Sequence, residues 1–276
     1  MNFRTIYHPI KSIFILLLLF GCVSTKATAG LSIQLDANES SPYWSQSMPS
    51  NGLCGEIIME IAKSSDVKTT IQFKPLVRMI SDDTNNDLGN PFFFLGNQEF
   101  SDIIPIAVYH VALVQYLPNH MQRIQIRTLS DMKGYKVGML KGTLVNRSAF
   151  EQAGILIDES YSQQSLFKKL QKGRLDLVIE IELAALTTIH QLFPEELAKF
   201  TVDLLPKSEA PIAILISKDQ ADAKKIGQSL RNSLNQILKN GRYADILYKY
   251  YPDMMIPDHY YRELNRFSIL YKEAGL

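Results

Sequence analysis

The chain predicts an α/β fold, and three observations carry that prediction. β-rich runs alternate with stretches of helical period from residue 31 onward. Residues 175–181 form a nearly continuous apolar run, the pattern of a central parallel strand covered on both faces. Strand–turn–helix passages recur, as where Lys141-Gly142-Thr143 turns the strand Lys136–Leu140 into a helix, and parallel pairing requires such crossovers.

Residues 31–35, Leu-Ser-Ile-Gln-Leu, alternate apolar and polar and read as a strand with one buried face. The Ser/Pro content of 40–45 makes a loop, which carries Tyr43 and Trp44. Ile57, Ile58, Ile61 and Ala62 recur at helical spacing, so an amphipathic helix covers about 53–64. Val67–Phe73 is β-rich, and Pro75 suits the first turn of a helix carrying Leu76, Val77 and Ile80. A polar loop is expected at 82–90, then strands at about 91–95 and 107–117. After the strand Lys136–Leu140 comes a helix over 145–153. Ser162 can cap the next helix, over Leu166, Phe167 and Leu170, which Lys172-Gly173 closes. A helix over 183–193, a strand over 212–216, a long helix over 221–239 ended by Asn240-Gly241, and a helix over 243–250 complete the pattern.

The first residues have a different character. Arg4 and Lys11 are followed by an apolar run of about eight residues, 13–20, and then by small residues. This is the layout of a secretory signal peptide, and the run is far short of the ~20 residues that span a bilayer. Two exits compete. Ala27-Thr28-Ala29 before Gly30 fits the A-x-A pattern, whereas Leu19-Phe20-Gly21-Cys22 resembles a lipoprotein site in which Cys22 is lipidated. Phe20 is bulkier than lipoproteins usually accept, so cleavage after Ala29 is the better match and the expected location is the periplasm. Cys54 is then the sole cysteine, no internal disulfide forms, and its setting in an apolar helix marks it as a small buried hydrophobe.

The full chain of 276 residues has 29 basic and 28 acidic residues; without the leader's Arg4, Lys11 and Lys26 it has 26 basic against 28 acidic. This balance provides no electrostatic footprint for nucleic acid. No P-loop, G-x-S-x-G elbow, H-E-x-x-H pair or dinucleotide-binding glycine fingerprint occurs. His110, His120 and His190 stand without metal-ligand spacing. Neither a cofactor nor a metal is expected.

Four segments point to one family. Residues 129–143, Leu-Ser-Asp-Met-Lys-Gly-Tyr-Lys-Val-Gly-Met-Leu-Lys-Gly-Thr, resemble the "sl-x-DLkGk-x-VGv-x-x-GT" segment of family 3 extracellular solute-binding proteins. Residues 170–179 resemble that family's "L-x-x-GrvDlvi", and residues 238–250 its closing "l-x-x-dG-x-y-x-x-i-x-x-kw". Phe100-Ser101-Asp102 sits where the family often has "FSdPy". The resemblance implies a periplasmic-binding-protein-like (type II) α/β fold with two lobes, 30–106 plus 213–276 and 107–212. Two crossing strands would join them, with the ligand in the cleft between. It further implies a receptor rather than an enzyme. Such a receptor is monomeric, captures a small polar solute by lobe closure and presents it to a separate ABC permease or membrane sensor.

The chain departs from the family where ligand is held. Amino-acid binders of the family carry an Arg about six residues before "FSdPy", clamping the ligand carboxylate bidentately, but residues 90–96 contain no basic residue. The family's ammonium-binding Asp corresponds to Ile181, flanked by Glu180 and Glu182. The candidate ligand-binding residues are therefore Tyr43 and Trp44 for stacking, Gly142 and Thr143 for backbone N–H groups at a helix start, Arg78 in the Pro75 helix, and Glu180 and Glu182 at a strand end. Lys141 and Arg147 are expected to be surface charges. The competing readings are a dehydratase-like enzyme using Glu180 or Glu182 as acid–base groups, and a protein-interaction module without a small ligand.

Overall fold

Residues 30–276 are described by the computed structural model, apart from 83, 97, 142, 144–146, 252–255, 275 and 276. The leader and Gly142 thus lie outside the described residues. The strands are β1 (Leu31–Ala37), β2 (Val67–Phe73), β3 (Asn86–Gly89), β4 (Phe100–Tyr109), β5 (Val111–Tyr116), β6 (Lys136–Leu140), β7 (Leu156–Ser160), β8 (Leu177–Ile181), β9 (Phe200–Leu204) and β10 (Ala210–Ser217). The α-helices are α1 (Gly52–Ser64), α2 (Leu76–Ser81), α3 (Arg147–Gln152), α4 (Gln163–Gln171), α5 (Glu182–Leu192), α6 (Ala223–Lys239), α7 (Arg242–Tyr250) and α8 (Tyr260–Glu273).

The strands form two five-stranded sheets, in the orders β2-β1-β3-β10-β4 and β7-β6-β8-β5-β9. Parallel sheets were expected, but both are mixed. β1 pairs in parallel with β2 and β3, and β6 with β7 and β8. β10 runs antiparallel to β3 and β4, and β5 antiparallel to β8 and β9. The cause is connectivity. The chain leaves the first sheet at His110 and returns between β9 and β10, and these passages reverse its direction without a crossover helix. Leu205 N donates to Val111 O at 2.9 Å, and Ser208 Oγ accepts from Val111 N at 3.1 Å, fastening the two passages side by side.

Burial follows the sequence periodicity. Ile33, Leu35 and Ala37 share one face of β1 and pack with Ile57 and Ile61 of α1, Leu230 and Ile237 of α6, and Tyr243 and Leu247 of α7. In the second sheet Val178 packs with Leu166, Phe167 and Leu170 of α4 on one face, while Val137, Leu177 and Ile179 pack with Met132 on the other. Gly138 is required by this packing: a Cβ there would lie 2.4 Å from Leu175 Cδ1 and 2.7 Å from Leu166 Cδ1. Ser162 caps α4 as expected, its Oγ accepting from Ser165 N at 3.2 Å. Cys54 is free and buried.

Three expectations need correction. The polar stretch 82–90 contains the buried strand β3, whose Asn86 is satisfied by Ser217 N at 2.9 Å, Gln34 O at 3.3 Å and Gln220 Oε1 at 2.8 Å. Residues 91–93 form a 3-10 turn and not a strand. Pro91 opens it and the Asn90 side chain accepts from Phe92 N at 2.9 Å, so local capping overrides the β preference of three phenylalanines. The single strand expected over 107–117 is two strands in different sheets, divided at His110. Strands β7 and β9 and helix α8 were not anticipated. Both strands are short, half-exposed sheet edges, so neither shows a long apolar run.

Candidate functional site

A cavity of about 270 Å³ opens between the two sheets. The first sheet and its loops contribute Asn38, Ser40, Tyr43, Trp44, Asn90, Phe93, Tyr109 and Ile212; the second contributes Val111, Met139, Thr143 and the run Ile179-Glu180-Ile181. Its walls are mainly apolar and aromatic. Among the described lining residues Glu180 is the one carboxylate, and no Arg or Lys is present.

The loop after β1 is held by local hydrogen bonds. Ser40 and Trp44 exchange backbone hydrogen bonds of 2.9 and 3.0 Å. The carbonyls of Pro42 and Tyr43 accept from Leu53 N and Cys54 N at 3.0 and 2.7 Å, satisfying two donors at the start of α1 that have no partner within the helix. Gly52 permits this approach, with φ of +86° and space for a Cβ only 2.7 Å from Pro42 O. Tyr43 is thereby set edge-on to Tyr109, with ring centroids 6.4 Å apart. Trp44 is only 5 % exposed and belongs to the main core as well as the cavity wall. Its loop setting suggests a water-exposed indole awaiting closure; the structure instead buries it, with Nε1 lacking an acceptor among the described residues.

Glu180 sits near the end of β8 and is 7 % exposed. Burial pushes its carboxyl up to about 7, against the opposing effect of hydrogen bonds from Ile181 N at 2.8 Å and Gln163 Nε2 at 3.5 Å. The position costs free energy when charged unless a cation comes near.

The other anticipated residues are placed differently. Thr143 lines the cavity, but its backbone N–H and hydroxyl both donate to Leu140 O, at 3.2 and 2.7 Å. That N–H is engaged in a turn rather than offered to an anion. Arg78 is exposed on α2 and does not line the cavity, although Leu76 of the same helix does. Glu182, first residue of α5, donates its backbone N–H to His110 O at 2.9 Å and turns its carboxylate to His110, away from the cavity. Lys141 and Arg147 are exposed; Lys141 Nζ donates to Tyr161 Oη at 2.8 Å and Arg147 pairs with Glu159.

Sequence reasoning did not single out Asn90, Tyr109 or Met139. Asn90 Nδ2 donates to Tyr109 Oη at 2.8 Å, placing one polar pair among the aromatic walls. Tyr109 ends β4 and Asn90 precedes a 3-10 turn, so no periodicity links them.

No family profile and no curated protein matches the chain. Solved structures do match. The GluR0 ligand-binding core from Nostoc punctiforme, in complex with L-glutamate, is 16 % identical with a TM-score of 0.56, over 79 % of this chain and 99 % of that one. A histidine kinase sensor domain with similarity to periplasmic binding proteins is 12 % identical with a TM-score of 0.60, over 80 % and 96 %. The ancestral amino acid-binding protein AncCDT-1, a precursor of cyclohexadienyl dehydratase, is 16 % identical with a TM-score of 0.58, over 79 % and 94 %. The chain therefore has the periplasmic-binding-protein-like fold, with two α/β sheets and a cavity at their junction.

Proposed function

We propose that the protein is a solute-binding protein whose cavity accepts a small molecule with a positive charge beside an apolar or aromatic body. The carrying observation is a buried Glu180 in an aromatic-walled cavity without Arg or Lys among the described lining residues. A cationic group beside Glu180 would offset the carboxylate's desolvation, and Tyr43, Trp44 and Tyr109 would hold the body and the flank of the cation. An α-carboxylate would find no Arg or Lys among the described lining residues. The two lobes, 30–106 plus 213–276 and 107–212, would close over the solute and present it to a separate ABC permease or membrane sensor in the periplasm. Among the described lining residues Glu180 is the one carboxyl and no histidine or second carboxyl stands beside it to share acid–base work, which favours binding over dehydratase chemistry.

The test is calorimetric titration with the twenty amino acids, putrescine and tyramine. No standard amino acid should reach sub-micromolar affinity, while at least one of the amines binds and loses ten-fold or more in Glu180→Gln, the scale of one hydrogen bond to a charged group. A tight standard amino acid, or amine binding unchanged in Glu180→Gln, would overturn the reading. Release of a chemically altered product would establish the enzyme instead.

A further inference from the structure

His110, His259 and Glu263 converge at the passage between the sheets. We propose that these three residues bind a divalent transition-metal ion of the zinc type. His110 is the single residue between β4 and β5, and Glu263 lies 153 positions further along the chain on α8. No spacing rule applied to the sequence would join them.

The geometry supplies the site. His110 Nε2 lies 2.8 Å from Glu263 Oε2, and His259 Nε2 lies 3.5 Å from Glu263 Oε1. One donor atom from each residue falls within 4.8 Å of the others. A tetrahedral zinc ion with N and O ligands at about 2.0–2.2 Å holds neighbouring ligand atoms about 3.3 Å apart, so side-chain adjustment alone admits the ion. Two imidazoles and one carboxylate form a donor set suited to zinc, cobalt or nickel over the harder magnesium and calcium.

Beyond the donors, the surroundings also fit. Glu182 Oε2 stands 3.7 Å from His110 Nδ1, and that nitrogen is buried without a hydrogen-bond partner. A short movement lets the carboxylate accept from Nδ1–H, fixing the tautomer that leaves Nε2 free for a metal. His110 is 2 % exposed, whereas the His259 side chain is 34 % exposed, so one side is anchored and the other open to solvent for entry and for a water ligand. With neutral imidazoles, Glu182 and Glu263 supply two negative charges, which a divalent ion neutralises. The bound ion would tie the passage at His110 to α8, which already meets β4 through Val108 N donating to Tyr260 Oη at 3.2 Å.

The experiment uses chelator-treated protein titrated with Zn²⁺ by calorimetry, with Co²⁺ absorption as a report on geometry. One equivalent should bind, with the intense visible bands of tetrahedral cobalt. His259→Ala and Glu263→Gln should each weaken binding at least ten-fold, while His120→Ala and His190→Ala leave it unchanged. Glu182→Gln should weaken it less, at unchanged stoichiometry. Circular dichroism verifies that the variants are folded. Should Glu263→Gln fail to fold, the partly exposed His259→Ala decides the matter. Wild-type protein that takes up no Zn²⁺, or His259→Ala with unaltered affinity, would reduce the cluster to an ion pair between His110 and Glu263 and overturn the proposal.

Discussion

Glu180 can be charged or neutral near physiological pH, and the consequences differ for the empty and the filled cavity. Its carboxyl titrates at about 7 in the folded chain against an ordinary 4.5. Between those values the folded protein holds a proton that the unfolded chain releases. Glu180's contribution to the stability of the empty protein therefore falls as pH rises through that window, by about 3 kcal/mol. Glu180→Gln should remove this share of the slope, matching wild type at pH 4 and exceeding it by about 3 kcal/mol at pH 8. Urea unfolding at the two values measures it; equal stability at pH 8 would mean that Glu180 is better solvated than its burial indicates. A cationic ligand reverses the trend, because it needs the charged carboxylate: affinity should rise as pH rises through about 7. At this scale legibility was uneven. Glu180 could be named because it lies beside the position where the resembled family keeps an acid. The burial of Trp44 could not, since a Ser-rich loop gives no sign that two of its carbonyls cap the following helix.

Helices and long strands obeyed local rules, whereas short or polar elements did not. Helices α4 and α6 were readable from apolar spacing and, for α4, from the cap at Ser162. Strand β3 was not, because Asn86 and Asp87 look like loop residues. Asp87 is fully buried opposite Asp36 in the β1–β3 register, and burial first, then the charges of Asp36 and Asp82, push its carboxyl up to about 8. A protonated acid behaves as a neutral polar side chain, which reconciles this residue with a strand interior. Within β6, Gly138 is the element's most constrained position. Gly138→Ala should destabilise the protein by about 1–3 kcal/mol through overpacking against Leu166 and Leu175. Denaturant unfolding checks it, and a loss below a few tenths of a kcal/mol would show that the leucines move aside freely.

At the scale of the whole molecule, two sheets meet at two adjacent chain passages, with Ser208 bridging them. Such a junction can bend through few residues, the usual design of hinge closure. A ligand that fills the cavity should lower the radius of gyration measured by small-angle scattering. An unchanged radius at saturating ligand would mean a cavity that fills without closure. The amino-acid sequence by itself determined the α/β class, most helices, the resemblance to solute-binding proteins and the lack of a basic residue at 90–96, because each is written in contiguous residues or in short motifs. Only the tertiary structure decided the mixed sheets, the Asn90–Tyr109 pair and the meeting of His110 with His259 and Glu263. Each depends on residues far apart in the chain, and the register and packing that bring them together leave no periodicity in the sequence.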